Sequence, residues 1–472
     1  LMTAADSKNS FCFSISNKKG TYLRKLINEG KTVKVRAKID SRYYTDDTLP
    51  YLTGCIRGTG DEGEEVLIAG HMFEWGANDN CTGCSIMLES VGVLNDLIRS
   101  GTLPRPKRSI RIWMGQEMYG SLAFAVHNPD RLRNTIAAVC CDTPAANHDL
   151  TASTVKIYMN GNFCPSFTDA LYPEVFRLYY ERIQSNKLLI TLPYGGGTDN
   201  YFCEPMIGVP TNFVYMENGT WLHHNSRDTI EKVDTRSLDD LCSVNALYLY
   251  FLADADLEEI PYIARLTFDR GVKVILEKSS EMNDRLVHAN DGVALGKVMT
   301  EGVNVIEYYT EVQKKALVSI ERIVSKRDRG QSQKMLSKYI DNIDDFGTLC
   351  IKQFRDAVRE KSKLESLKIV PYKKEKSPWD REAETLIPKP MYIGTLTLDG
   401  VPVEKWKEVT SSPRWWSPTS WAVASYWWCD GKRNLREIKE LIELEAGEPV
   451  QNFDMITYYR FLDKYGRVEF VK

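Results

Sequence analysis

The sequence predicts an α/β fold of three layers, with helices on both faces of a mixed, mostly parallel sheet, followed by a helical segment and a small C-terminal module. Three observations carry this. Between about residues 61 and 256, short β-branched apolar runs alternate with segments whose apolar residues recur at helical spacing, the pattern of strands joined by crossover helices. From about 257 to 370 the chain is charged and helical in period. After a polar, proline-bearing stretch, PYKKEKSPWDREAETLIPKP, come two more helical runs and a closing strand.

In chain order, KKGTYLRKLIN reads as a helix stopped at Gly30, and Val33, Val35, Ala37 and Ile39 then alternate as a strand. Glu65-Val66-Leu67-Ile68-Ala69 reads as a buried strand, and the run from Thr82 to Leu94 as a helix. RSIRIWMG, TIAAVCCD, KLLITLPYG and VPTNFVYM read as further strands. Helices fall near Ser121 to His127, from Ser166, and from Thr235 to Ala253. The charged region 257–370 reads as a pair or more of long amphipathic helices. Over 385–472, Asn434 starts the helix LREIKELIELEAG, DMITYYRFLDKYG follows, and RVEFVK closes the chain. Helix, helix, strand suggests a winged-helix module. Trp415, Trp416, Trp421, Trp427 and Trp428 are expected in its core or in an interface covering a functional site.

At 472 residues the chain exceeds one ordinary core and implies two or three domains. A net charge of −3, from 61 basic and 64 acidic residues, gives no electrostatic case for nucleic acid or anionic membrane as a partner. Residues 385–472 carry twelve basic and twelve acidic residues, so the C-terminal module lacks the footprint of a DNA binder. No apolar run reads as membrane-spanning, and the first twenty residues lack a signal-peptide pattern. Eleven scattered cysteines fit reduced thiols in a cytoplasm better than a disulfide framework. Cys81-Thr82-Gly83-Cys84 has no second pair of that spacing and reads as helix packing. Assembly into a homo-oligomer is compatible with all of this.

The chemistry begins at Gly70-His71-Met72-Phe73-Glu74-Trp75-Gly76-Ala77-Asn78-Asp79-Asn80, directly after a strand, where α/β folds place their functional groups. His71 and Asp79, eight positions apart around a glycine turn, suit two ligands of one metal. Asp79 also lies near a helix N-terminus, where a carboxylate serves as a cap. Two further strands end in acids, Glu117 after RIWMGQ and Asp142 after TIAAVCC, and two of the six histidines follow as His223-His224. Imidazoles and carboxylates recurring at strand ends form the donor set that zinc accepts.

Together these residues resemble the zinc aminopeptidase-like peptidases of metallopeptidase family twenty-eight (clan MH), which includes bacterial leucyl aminopeptidases, glutamate carboxypeptidase and glutaminyl cyclase. The likeness covers about residues 61–256. It implies one or two zinc ions held by His71, by Asp79 as the bridge within Gly76-Ala77-Asn78-Asp79-Asn80 and Gly83, by Asp142, and by His224 ahead of Ser226, Asp228 and Thr229. LPRPKRSIRIWMGQEMYGS, WLHHNSRDTIEKVD and DGKRNLREIKELIELEAGE look like a bacterial branch with a protease-associated domain before the peptidase domain and a winged-helix domain after it. On that likeness residues 1–60 are the end of the protease-associated part, and the natural chain is expected to begin upstream of Leu1.

The pattern departs from the family in two places. Where the family has two adjacent glutamates, a general base and a zinc ligand, this chain has Gln116-Glu117-Met118. Glu117 as the ligand leaves an amide in place of the base, and Glu117 as the base leaves a thioether in place of the ligand. Chemistry favours Glu117 as base with one firmly held zinc, because hydrolysis needs a base. Where the family has an aspartate two residues after the first histidine, Phe73 stands here and Glu74 follows, a candidate orienting group or base. Tyr194-Gly195-Gly196-Gly197-Thr198-Asp199-Asn200 resembles a family turn in which glycines admit an oxyanion and Asp199 holds a substrate amine or caps a helix. Tyr119 is a further candidate oxyanion donor. The resemblance implies hydrolysis of an amide bond at the amino-terminal end of a peptide or in a small acylated amine. The alternatives are glutaminyl-cyclase-like acyl transfer and a catalytically inactive scaffold or regulator.

Overall fold

The computed structural model describes residues 13–40, 48–60, 63–217, 222–373, 375–392, 398, 401–406, 408–409 and 420–471. Residues 1–49 with 398–408 form one compact unit, and residues 50–397 with 409–472 form another. In the first unit α1 (Asn17–Asn28) starts at Ser16, whose hydroxyl accepts the Lys19 N–H, and the chain turns at Gly30 with φ +73°. The expected strand over Val33–Ile39 does not form: residues 31–40 have no regular structure and no pairing partner among the described residues. Alternation alone leaves strand backbone groups unpaired unless a neighbouring strand accepts them.

The second unit is built on seven strands: β1 (Leu52–Ile56), β2 (Glu65–Met72), β3 (Ser109–Gln116), β4 (Thr135–Cys141), β5 (Val155–Tyr158), β6 (Leu189–Leu192) and β7 (Thr211–Tyr215). Their order is β1-β3-β2-β4-β7-β5-β6. The four central strands run parallel, β1 is antiparallel to β3, and β5 is antiparallel to β7. The sheet therefore starts upstream of residue 61, with a strand the sequence reading missed. Successive β2 residues enter opposite cores. Val66 and Ile68 join Ile86, Met87 and Val139 on one face, and Leu67 and Ala69 join Trp113, Phe124 and Phe202 on the other. Burial on both faces is why this strand reads as a continuous apolar run.

One face is covered by α2 (Cys81–Arg99), α4 (Thr168–Arg182) and α5 (Thr235–Asp254), the other by α3 (Tyr119–His127) and the 3₁₀ turn Asp199–Cys203. Against the expectation from sequence, α2 is long and apolar enough to cross a membrane by length and composition. Ile86, Met87, Leu94 and Ile98 instead bury its inner face in the core.

Three long helices follow, α6 (Ile260–Val287), α7 (Gly292–Val318) and α8 (Arg329–Leu364). Their buried residues, among them Ile275, Ile306, Leu336 and Phe354, belong to the same apolar core as α2, α4 and α5. Near the C-terminus, α9 (Leu435–Ala446) begins with a capping box between Asn434 and Glu437, and α10 (Met455–Lys464) follows. The strands β8 (Ile387–Pro390) and β9 (Val468–Val471) pair antiparallel around them. Trp428 is buried and Trp421 and Trp427 are half-buried, while Trp415 and Trp416 lie outside the described residues.

Candidate metal and catalytic site

Strand register brings the site together. His71 on β2 is level with Gly115 on β3, two residues short of Glu117. Ala69 on β2 is level with Cys140 on β4, which sets Asp142 beside His71. Cys141 is level with Val214 on β7, whose chain continues to Glu217 and, beyond it, to His223 and His224. Parallel strands end at one edge, so residues separated by up to about 150 positions meet there.

The resulting distances define two nests that share Asp79. In the first, His71 Nε2 lies 3.2 Å from Asp142 Oδ1, 3.8 Å from Asp79 Oδ1 and 3.9 Å from Glu117 Oε1. In the second, Asp79 Oδ2 lies 3.2 Å from His224 Nε2 and 3.6 Å from His223 Nδ1. Glu74 borders both, with Oε2 3.9 Å from His224 Nε2 and its carboxylate grouped with His71 and Glu117. His223 and Glu217 were not singled out from the sequence. Glu217 is buried, accepts the His223 backbone N–H at 3.0 Å, and sets Oε2 3.6 Å from His223 Nδ1.

The loop carrying Asp79 is held from three directions. The Asp228 carboxylate accepts the Asn78 N–H at 2.8 Å and the Asp79 N–H at 2.9 Å, which explains the acid of the S-x-D-T turn. Asn80 Nδ2 donates to the carbonyls of His71 and Cys141, and its Oδ1 accepts the Thr143 N–H, tying β2 to β4. A Cβ at Gly76 would lie 2.1 Å from Asp228 Oδ2, and one at Gly83 would lie 2.1 Å from Asn80 Oδ1. The glycines of the motif thus leave room for the side chains that fix Asp79. Asp79 does not cap α2, whose N-cap is Asn80.

Glu117 stands before a tight turn. Met118 has φ 58° and ψ −59°, and the Tyr119 N–H donates to the Glu117 carbonyl at 2.6 Å, the geometry of a γ-turn. Non-glycine residues at positive φ persist only where their surroundings enforce it. Here fully buried Asp199 enforces it: its Oδ1 accepts the Met118 N–H at 3.0 Å and the Ser121 hydroxyl, while the Tyr201 hydroxyl donates to the Met118 carbonyl. Asp199, read as a substrate contact from sequence, thus has Oδ1 engaged in this turn, and Oδ2 has no hydrogen bond. Tyr119 is exposed beside the turn. Phe73, Thr143 and His224 also have positive φ, so four such residues flank the site.

The electrostatics are those of acids crowded away from water. Burial pushes Asp79 up to about 8, with Asp142 and Glu74 adding repulsion. Burial also pushes Glu117 up to about 8 against the pull of His71. Asp199 rises to about 6 through burial, opposed by His71 and its hydrogen bonds. At His71 burial acts downward, but Asp142 and Glu117 outweigh it and hold the imidazole near 10. Asp142 would rise on burial, yet His71 and the Thr143 hydroxyl hold it below its ordinary value. Among the described residues, Glu74, Asp79, Glu117 and Asp142 form ion pairs only with histidines. Neither ring nitrogen of His71, both shielded from solvent, makes a hydrogen bond. Buried imidazole nitrogens without hydrogen bonds, facing carboxylates whose ion pairs among the described residues include no lysine or arginine, fit a divalent cation of the zinc type, which takes nitrogen and oxygen donors together.

An α/β sheet whose carboxyl edge gathers this donor set beside a buried carboxylate offers a site for a divalent cation. Comparison adds a family likeness: residues 31–249 match the model for Peptidase family M28. The chain is similar to human carboxypeptidase Q, 23% identical over 245 residues, and to bovine carboxypeptidase Q, 25% identical over 254 residues. Each match covers 50% of this chain and 48% of the relative, so the chain spans about half the length of the curated relatives it matches. Among solved structures, it is similar to an aminopeptidase from Aneurinibacillus sp. strain AM-1, with 17% identity, 43% of this chain and 48% of that chain covered, and a TM-score of 0.34. It is also similar to a glutaminyl cyclase from an Acidobacteriales bacterium, with 15% identity, 43% and 79% covered, and a TM-score of 0.30.

Proposed function

We propose that this chain is a zinc-dependent hydrolase that cleaves an amide bond, acting as an aminopeptidase on the N-terminal residue of peptides or on a small acylated amine. The observation that carries the reading is the Asp79 carboxylate, whose two oxygens face His71 on one side and His224 on the other, with Glu117 alongside. The match of residues 31–249 to Peptidase family M28 supports it.

His71, Asp79 and Asp142 would hold zinc in the first nest, and Asp79 and His224 would contribute to a site in the second. Bound there, zinc would polarise the scissile carbonyl and lower the pKa of a water. Glu117 takes the proton of the attacking water and returns it to the leaving amine, which needs a carboxylate fixed at the rim of the nest. The γ-turn held by Asp199, Ser121 and Tyr201 does that fixing. Glu74 borders both nests and receives the substrate amine or steadies His224. The ten cysteines among the described residues are all free, which supports the cytoplasm as the working compartment.

Glu117→Gln tests the assignment. Turnover of a peptide with a free N-terminus should fall by about 10²–10⁴-fold while zinc content is unchanged. Undiminished turnover removes Glu117 from the mechanism. Mass spectrometry of the products separates the end attacked: loss of C-terminal residues, or formation of pyroglutamate without hydrolysis, would overturn the aminopeptidase reading.

A further inference from the structure

The second nest contains one imidazole more than the family pattern requires. His223 and His224 are adjacent in sequence, yet their rings stack at 3.7 Å with 19° between planes. In extended chain, neighbouring side chains point to opposite sides. Here the left-handed backbone of His224, φ 53°, turns the pair so that both present a nitrogen to the same oxygen, Asp79 Oδ2. His223 Nδ1 is shielded from solvent and makes no hydrogen bond. The Glu217 carboxylate accepts the His223 backbone N–H and also sets Oε2 3.6 Å from the same ring nitrogen.

The same nest is also one donor short. Gln116-Glu117-Met118 offers one carboxylate where the family has two, and that carboxylate reaches His71 in the first nest. Met118 has only a thioether, a poor partner for a cation among hard oxygens. The donor atoms of Asp79, His223 and His224 lie within 4.8 Å of one another. Two imidazoles and a carboxylate make a three-ligand zinc set with a fourth position open.

We propose that His223 is the third protein ligand of a second divalent cation, bridged to the first by Asp79, and that it replaces the carboxylate absent at Met118. The proposal rests on the metal reading above and adds a ligand to it. Its energetic logic is that a neutral imidazole replaces an anion, so the paired site carries one negative charge less than with a glutamate there.

Zinc titration of the chelator-stripped full chain tests it, read as zinc bound per chain by elemental analysis and calorimetry. The wild-type chain should hold two ions. His223→Phe keeps the stacked ring and removes the nitrogen, so the second ion should bind at least about 10–100-fold more weakly while the first is retained. Two ions bound as tightly as in the wild type would overturn the proposal. So would a single wild-type ion lost in His71→Ala and kept in His224→Ala. Absence of binding in the wild type would overturn the metal reading itself and this proposal with it. X-ray absorption of the zinc-loaded wild type needs no variant to fold. It should show three imidazoles shared between two ions, and two imidazoles would contradict the assignment.

Discussion

Asp228 reaches across about 150 positions of sequence to close the loop of Asp79, and one carboxylate satisfies two buried backbone N–H groups there. Removing it leaves both donors without a partner in a region closed to water. Asp228→Ala should therefore destabilise the fold by on the order of 3 kcal/mol, measured by urea unfolding, and weaken zinc binding by about 10–100-fold. Asp228→Asn keeps one acceptor and should fall between the two. An alanine variant with wild-type zinc affinity would show that the loop is fixed without this clamp. Of the clustered residues, His71, Glu117 and Asp142 stand at or just beyond the ends of apolar strands, which is why the sequence singles them out. Asp228, Asn80 and Glu217 do their work through contacts that no local pattern announces. His223 was legible only as half of a histidine pair, and its direction depends on a backbone angle.

Strands were legible where their residues make an apolar run. β2, β3, β4 and β7 do so because helices cover both sides, and β6 does so although it is only half-buried, whereas β1 is mostly exposed, β5 alternates buried with half-buried residues, and both were missed. The strand expected at 33–39 had the right alternation and no partner among the described residues. Helix α2 shows the converse, an element whose approach to the sheet is set by one residue. A Cβ at Gly83 would lie 2.1 Å from Asn80 Oδ1 and 2.4 Å from the Cys141 carbonyl. Gly83→Ala should push the helix N-terminus off β4 and break the Asn80 hydrogen bonds, costing roughly 3 kcal/mol as overpacking does. Thermal unfolding with and without zinc checks this. The loss should appear in both, because the clash precedes any metal.

At the scale of the whole second unit, three stretches of chain far apart in sequence converge on Glu445. Glu445 on α9 accepts hydrogen bonds from Asn162 at 2.9 Å, from Tyr308 on α7 at 2.5 Å and from Trp428 at 3.2 Å. Next to it Trp427 packs against Phe163 and Tyr194, with ring centres 4.9 Å and 5.1 Å apart. Tyr194 opens the run Gly195-Gly196-Gly197 that leads to Asp199, and Asp199 holds the turn after Glu117. The glycine run has little stiffness of its own, since glycine restricts the backbone least. At its start the run is held by Tyr194, which Trp427 braces, and by Asn200 Nδ2, which donates to the Gly195 carbonyl at 3.0 Å. Trp427→Ala should therefore lower kcat several-fold at unchanged zinc content, because the defect reaches Glu117 through the turn and leaves the metal ligands in place. Trp427→Phe keeps a ring against Tyr194 and should restore most of the rate. The comparison is made at equal folded fraction, fixed by circular dichroism, so that lost stability is not read as lost catalysis. A Trp427→Ala chain with wild-type turnover would show that the C-terminal segment only packs against the seven-stranded sheet and does not brace the turn after Glu117.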